Sequence, residues 1–220
     1  NESPLYYSIS HSNKEIINFF VNHPKIDINY KSIFKSRSLL VKNETILNKA
    51  INKNKIEIIK VLLKHPQIDI NMKSSYISKN EYDETALTLA TREKKYKIVK
   101  LLLTHPKIDV NIKVDSNDPI NNKQKLSALH LALINNDKEM VLILLSHKNI
   151  DINLIGSRFI EITKYKFSPL IFSIMHNQYD IFELLLSNEK IDVNTQLIKT
   201  NKQKSFEEIK SALFLAVEES

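Results

Sequence analysis

A Ser or Thr followed two residues later by Leu stands at Ser3, Thr45, Thr85, Ser127, Ser168 and Ser211. Each of the first five is followed, always 24 positions on, by the Asp of an Ile-Asp-Ile/Val-Asn run: Asp27, Asp69, Asp109, Asp151 and Asp192. Constant spacing inside a segment, with variable lengths between segments, marks one supersecondary unit copied along a chain. The fold is therefore expected to be an array built from neighbouring copies rather than one globular core.

The unit can be read from its third copy, Thr85-Ala86-Leu87-Thr88-Leu89-Ala90. Thr85 is a good helix N-cap, and Ser3-Pro4 and Ser168-Pro169 put Pro at the first helical position, where its missing N–H costs nothing. The position of Ala90 is small in every copy, at Ser8, Ala50, Ala90, Ala132, Ser173 and Ala216, which lets helix backbones approach closely. Polar breaks follow at Ser12-Asn13, Asn54-Lys55, Lys94-Lys95, Asn136-Asp137 and Asn177-Gln178, and Asn tolerates the left-handed backbone that reverses the chain. A second, more apolar helix follows, with faces such as Ile58, Ile59, Val61, Leu62, Leu63 or Ile181, Phe182, Leu184, Leu185, Leu186 that call for burial. Three copies stop it at His23-Pro24, His65-Pro66 and His105-Pro106, because Pro cannot continue a helix. The pattern predicts helix pairs over about 4–22, 46–64, 86–104, 128–146 and 169–187, and a lone helix near 212–219.

Ser127-Ala128-Leu129-His130-Leu131-Ala132, closed by Asp-Val-Asn at Asp109-Val110-Asn111 and Asp192-Val193-Asn194, resembles the ankyrin repeat, whose hallmark is Thr-Pro-Leu-His-x-Ala. The likeness spans nearly the whole chain and occurs five times in register. It implies an all-α repeat solenoid of stacked helix-turn-helix units with protruding β-hairpin fingers. Residues 1–220 then form a single array, with repeats starting near 3, 45, 85, 127 and 168 and a truncated sixth near 211. Three departures stand out: the hydroxyl residues are spaced by 42, 40, 42, 41 and 43 rather than about 33, Gly156 is the only glycine, and only His130 keeps the hallmark His. The other copies have Tyr6, Asn48, Thr88, Ile171 and Phe214 there.

The excess length lies after the Asn, in Tyr30 to Glu44, Met72 to Glu84, Ile112 to Leu126, Leu154 to Phe167 and Thr195 to Lys210. Alternating apolar positions in several of these predict extended arms, and Gly156-Ser157-Arg158 reads as a turn between two of them. These segments carry the entire formal net charge of +7, leaving the helical modules neutral in sum. Lysines there either keep hairpin edges soluble and block edge pairing or attract an acidic partner.

Cysteine is absent, so disulfide and thiolate chemistry are excluded. No apolar run approaches the roughly 18 to 20 residues that span a bilayer, and the opening residues do not read as a signal peptide. The expectation is an intracellular, cytoplasmic protein without membrane insertion. One Gly rules out a phosphate-cradling loop. His23, His65, His105 and His147 form one column and the five Asp another, but helices stacked roughly 8–10 Å apart keep such columns from converging on a metal about 2 Å from each ligand. The Asp residues are expected to bond turn backbone instead. No catalytic, cofactor-binding or metal residue is assigned, and no cofactor is expected. The bounds of the chain, at Asn1 and after Glu218-Glu219-Ser220, read as an excerpt from a longer array.

The reading that follows is a non-enzymatic protein-interaction scaffold, monomeric, binding a protein partner, an acidic one if the hairpin lysines serve attraction. In the family it resembles, partners lie along a concave side, on helix ends and hairpins. Carried over, the partner-binding candidates are Ser10, His11, Asn52, Lys53, Arg92, Glu93, Ile134, Asn135, Met175 and His176, with Lys35, Arg37, Arg158, Lys164 and Lys166 on the hairpins. Two alternatives compete. One is nucleic-acid binding by the basic fingers, with Tyr30, Phe34, Tyr76, Tyr82, Phe159 and Tyr165 for stacking, although acidic residues are interspersed. The other is a regulatory segment of a larger enzyme-containing chain.

Overall fold

Helices begin wherever a hydroxyl cap was expected. The computed structural model describes residues 3–11, 14–35, 41–77, 81–118, 122–160, 162–201 and 206–218, in two compact units, Asn1–Asp109 and Val110–Ser220. The first unit contains α1 (Pro4–His11), α2 (Lys14–Val21), β1 (Lys31–Lys35), β2 (Val41–Thr45), α3 (Ile46–Asn52), α4 (Ile56–Leu63), β3 (Ser74–Ile77), β4 (Glu81–Glu84), α5 (Ala86–Arg92) and α6 (Tyr96–Leu103). The second contains β5 (Val114–Asp118), β6 (Asn122–Leu126), α7 (Ala128–Ile134), α8 (Lys138–Leu145), β7 (Gly156–Ile160), β8 (Thr163–Phe167), α9 (Pro169–Met175), α10 (Tyr179–Leu186), β9 (Gln196–Asn201), β10 (Phe206–Ser211) and α11 (Ala212–Glu218).

The cap hydroxyls accept the backbone N–H three residues on: Ser3 from Tyr6, Thr45 from Asn48 and Thr85 from Thr88 at 3.2 Å, and Ser168 from Ile171 at 3.3 Å. This satisfies one of the donors that every helix start leaves open. The helix-to-helix reversals use the left-handed region at Asn54, Lys94, Asn136 and Asn177, with φ of 53°, 52°, 47° and 51°. Asn adopts this conformation more readily than other non-glycine residues, so the chain dispenses with glycine there. The Ser12-Asn13 break lies outside the described residues.

Within the first unit, α1 packs on α3 and α3 on α5, and α2 packs on α4 and α4 on α6. Within the second, α7 packs on α9 and α9 on α11, with α8 on α10. The small column makes this possible: Ala50, Ala90 and Ala132 are fully buried, and Ser8 and Ser173 turn their hydroxyls onto the carbonyls of Leu5 and Leu170. Leu5, Leu47, Leu87, Leu129 and Leu170 are buried, whereas Leu213, in the lone sixth helix, is 76 % exposed. The second helices bury one stripe each. Ile58, Ile59 and Leu62 are covered, Val61 and Leu63 half so, and Leu186 lies on the exposed side of α10.

Every inserted segment is an antiparallel hairpin, so the chain holds more β-structure than an all-α label implies. The hairpins also pair with one another inside each unit: β2 with β3 through Val41↔Ile77 to Asn43↔Ser75, β6 with β7 through Gln124↔Arg158, and β8 with β9 through Thr163↔Asn201 to Lys166↔Ile198. Hairpin lysines thus do not block edge pairing as expected. In a sheet, side chains leave on the faces, while the in-plane N–H and C=O groups stay free to pair.

Gly156 corrects another expectation. It is not in a turn: it lies at the start of β7, opposite Phe167, and the strand runs on to Ile160. Its φ is not positive. A Cβ built there would stand 2.5 Å from the His130 ring, a separation no real side chain tolerates. The only glycine therefore serves the only hallmark His.

The two polar columns act on backbone. His23, His65, His105 and His147 each accept, through Nδ1, the N–H two residues on at 3.2–3.3 Å, and Asn188 does the same for Lys190 in the fifth copy. Asp27, Asp69, Asp151 and Asp192 likewise accept from the Asn two residues on at 2.9–3.0 Å. Asn29, Asn71, Asn111 and Asn153 then reach the following copy. The Asn29 amide donates to the Gln67 carbonyl (2.7 Å) and accepts from the Asp69 N–H (2.8 Å). Asn71 does the same with Lys107 and Asp109, Asn111 with Asn149 and Asp151, and Asn153 with Lys190 and Asp192.

Candidate partner-binding surface

The first helices end in a common frame. Asn52, Arg92, Ile134 and Met175 are the last residues of α3, α5, α7 and α9, and Lys53, Glu93, Asn135 and His176 are the caps that follow. Ser10 and His11 end α1, both exposed. The helix-end candidates therefore do occupy equivalent places. Lys53, Glu93 and His176 are exposed, while Ile134, Asn135 and Met175 are half-buried.

Asn52 and Arg92 already have partners in the chain. The residue preceding each cap lies at the base of a hairpin, and the residue seven beyond the cap ends the first helix. Glu44 and Asn52 fill these positions in the second copy, with the Asn52 amide donating to Glu44 Oε1 at 2.5 Å. Glu84 and Arg92 fill them in the third, Nε to Oε1 at 2.5 Å, and Arg92 also reaches Glu93 at 2.9 Å. Lys210 and Glu218 reverse the charges in the sixth, at 2.6 Å. Leu126 with Ile134, and Phe167 with Met175, replace ions by apolar groups in the fourth and fifth.

Glu44 is buried and also accepts from the hydroxyls of Tyr6 and Tyr76, the latter at 3.1 Å. Burial first, and then the charges of Glu44 and Glu84, push the Tyr76 hydroxyl well above the usual tyrosine range. For Arg92 burial works against the cation, but the hydrogen bond and charge of Glu84 outweigh it and raise the guanidinium further. In the second unit His130 is fully buried, its Nδ1 2.8 Å from the Ser127 hydroxyl, and burial pushes it down to about 4. Its ring meets Phe167, which meets Phe172, whose ring lies 4.2 Å from that of His176.

The hairpin candidates separate. Arg158 stands opposite Tyr165 in β8, so it shares a sheet face with Tyr165, while Lys164 and Lys166 point to the other face. Lys164 lies 5.7 Å over the Phe159 ring. Lys35 ends β1, and Arg37 lies outside the described residues. Among the aromatics invoked for base stacking, Tyr76 is buried and stacked on Tyr82 at 4.9 Å, which leaves it no free face for a base. Among the described residues no three His, Asp or Glu side chains converge as a metal site would require, and no helix is long and apolar enough to cross a membrane.

Sequence reasoning missed Glu44 and Glu84, and it offered Tyr76 for base stacking rather than as a donor to Glu44. The signal was present in the spacing of eight between Glu44 and Asn52, Glu84 and Arg92, and Lys210 and Glu218.

A family description reading "Ankyrin repeats (3 copies)" matches residues 32–114 and 112–197. The chain belongs to the ankyrin repeat family. Ankyrin repeats are general protein–protein interaction modules, and this is the coarse function the family supplies. Solved structures of ankyrin repeat proteins share the fold. The ankyrin repeat protein EF0377 is 18% identical with a TM-score of 0.61, over 97% of this chain and 90% of that one. The ankyrin repeat domain of Bcl-3, described as a unique member of the IkappaB protein family, is 21% identical with a TM-score of 0.61, over 98% and 80%. No curated protein sequence is a match.

Proposed function

We infer that the chain is a non-enzymatic interaction scaffold in which five repeats and a partial sixth form one array. It holds a protein partner on its concave side, between the ends of the first helices and hairpin fingers that project beside them. The observation that carries this reading is the common frame of helix-end residues. Asn52 and Arg92 are fastened to hairpin bases by Glu44 and Glu84, which ties each of these helix ends to its hairpin, while the caps Lys53 and Glu93 that follow them remain exposed, as His176 does at the equivalent place in its own copy. Preorganisation of this kind lowers the ordering cost of binding. The net positive charge of the hairpins favours an acidic partner through faster encounter, and the chain acts as a monomer.

Photo-crosslinkers at Lys53 and His176 should capture a partner that crosslinkers on the second helices, at the exposed positions of Lys60 in α4 and Leu142 in α8, do not. With that partner in hand, reversing Lys35, Arg37, Lys164 and Lys166 to Glu should slow association at low salt more than it speeds dissociation. Equal capture from both sites would refute the concave-face reading, and an unchanged association rate would refute charge steering.

A further inference from the structure

In the second, fourth and fifth copies the residue seven beyond the Asp is a long polar side chain on the first strand of the hairpin. In the second copy this is Tyr76, whose hydroxyl donates to the buried Glu44. In the fifth it is Lys199, paired with Glu208 across the hairpin at 3.3 Å. In the fourth it is Arg158, and the residue matching Glu44 is Leu126, while the residue matching Glu208 is Tyr165. Both internal carboxylates are gone from this copy. Among the described residues the Arg158 guanidinium makes no ion pair or hydrogen bond, although its Nε is sealed from solvent. Its strand neighbours are Gln124 and Tyr165. It also lies close enough to His176 that, after burial, its charge is the second force holding the imidazole below its usual value.

A half-buried guanidinium without an acceptor is unfavourable. Arg in such a place, with a packed stem and a rigid fork of donors, suits a planar carboxylate, and Arg is one of the residue types that dominate interface energetics. The remaining surroundings agree. The cap His176, which feels the Arg158 charge, is exposed, and Met175 just before it in α9 is half-buried and apolar. We propose that Arg158 is the anchor of the partner surface: it receives an Asp or Glu carboxylate from the partner, at the place where the second copy carries its own. This rests on the interaction reading above, and it assigns Lys164 and Lys166, on the opposite sheet face, no part in the anchor.

The test uses the 220-residue chain labelled with ¹⁵N and two blocked peptides, acetyl-(Ala-Glu)4-amide and its Gln counterpart. The Glu peptide should shift the Arg158 Nε–H resonance, which burial keeps from exchanging quickly, and should raise the His176 pKa as the neighbouring charge is neutralised. Arg158→Gln should weaken the peptide by at least about tenfold and remove its effect on His176, Arg158→Lys should restore part of both, and the Lys164→Gln/Lys166→Gln pair should leave both intact. Equal shifts with the Gln peptide, undiminished binding to Arg158→Gln, or loss confined to the lysine pair would each overturn the anchor. So would no binding at millimolar peptide. A protein partner crosslinked at Lys53 and His176 that binds Arg158→Gln as tightly as the parent would leave the scaffold standing and remove the anchor. A Glu peptide seated on Arg158 with no concave-face partner would do the reverse.

Discussion

The second and third copies close their hairpin bases with ions, the fourth and fifth with hydrocarbon. Glu44 gathers Asn52, Tyr6 and Tyr76, and Glu84 holds Arg92, all in the first unit. Leu126, Phe167, Ile134 and Met175 occupy the same positions in the second. One backbone geometry accepts both solutions, because the joint needs only two side chains of matching reach and complementary chemistry. What differs is the response to change. A buried carboxylate is held by directed bonds whose loss leaves donors unsatisfied, whereas an apolar joint loses area and leaves a cavity.

The largest expected difference comes from deleting the two joints. Phe167 is buried between the His130 and Phe172 rings, so Phe167→Ala should cost about 3–5 kcal/mol. Glu84→Ala should cost less, about 1–3 kcal/mol, because the Arg92 side chain, 44% exposed, can turn back to water. Denaturant unfolding, with hydrogen exchange to locate the loss in each unit, checks this. Equal costs would mean that the ionic joint is as sealed as the apolar one.

The next difference is in pH, and it belongs to the second unit through His130. Its folded value of about 4 lies below the ordinary 6.5, so between these values the unfolded chain binds a proton that the folded chain refuses. Stability contributed by the neutral ring is complete above about 6.5, falls as the pH drops toward 4, and amounts to about 3 kcal/mol in all. His105, lowered by burial and by Lys107, adds a smaller loss of the same sign in the first unit. His130→Thr, which copies the Thr85–Thr88 capping box of the third copy, should flatten the slope of stability against pH over that window. An unchanged slope would place the acid sensitivity elsewhere.

The helices, their caps and their reversals were legible in the sequence because each depends on residues a few positions apart. Thr85 and Thr88, or Asn54 alone, decide a local conformation. The joints were not, because they depend on residues brought together by the hairpin. Glu44 looks like one more charged hairpin residue until Tyr6, from the preceding copy, is placed beside it. Gly156 misled for a related reason. Glycine suggests a turn, yet here it makes room for a ring 26 positions earlier in the chain. The coincidence of one hallmark His and one Gly in the same copy was the available clue. Among the candidates, Arg158 and His176 proved to be neighbours, while Arg158 and Lys164 proved to face opposite ways.

The smallest expected effect tests what the two units share. Asn29 and Asn71 in the first unit and Asn153 in the second each bridge to the backbone of the next copy with two bonds of 2.7–2.9 Å. These bridges lie at exposed positions, where water competes for both groups, so each deletion should cost only about 1–2 kcal/mol. Asn71→Ala and Asn153→Ala should therefore be alike, despite the different joints around them. Asn194 holds the equivalent place in the fifth copy, and among the described residues its side-chain amide makes no such bridge, the Asp192 contact being to its backbone N–H. Asn194→Ala should be close to neutral. If it cost as much as Asn153→Ala, the amide would be valuable for shaping its own turn rather than for joining copies, and the bridge would cease to be the element common to both halves.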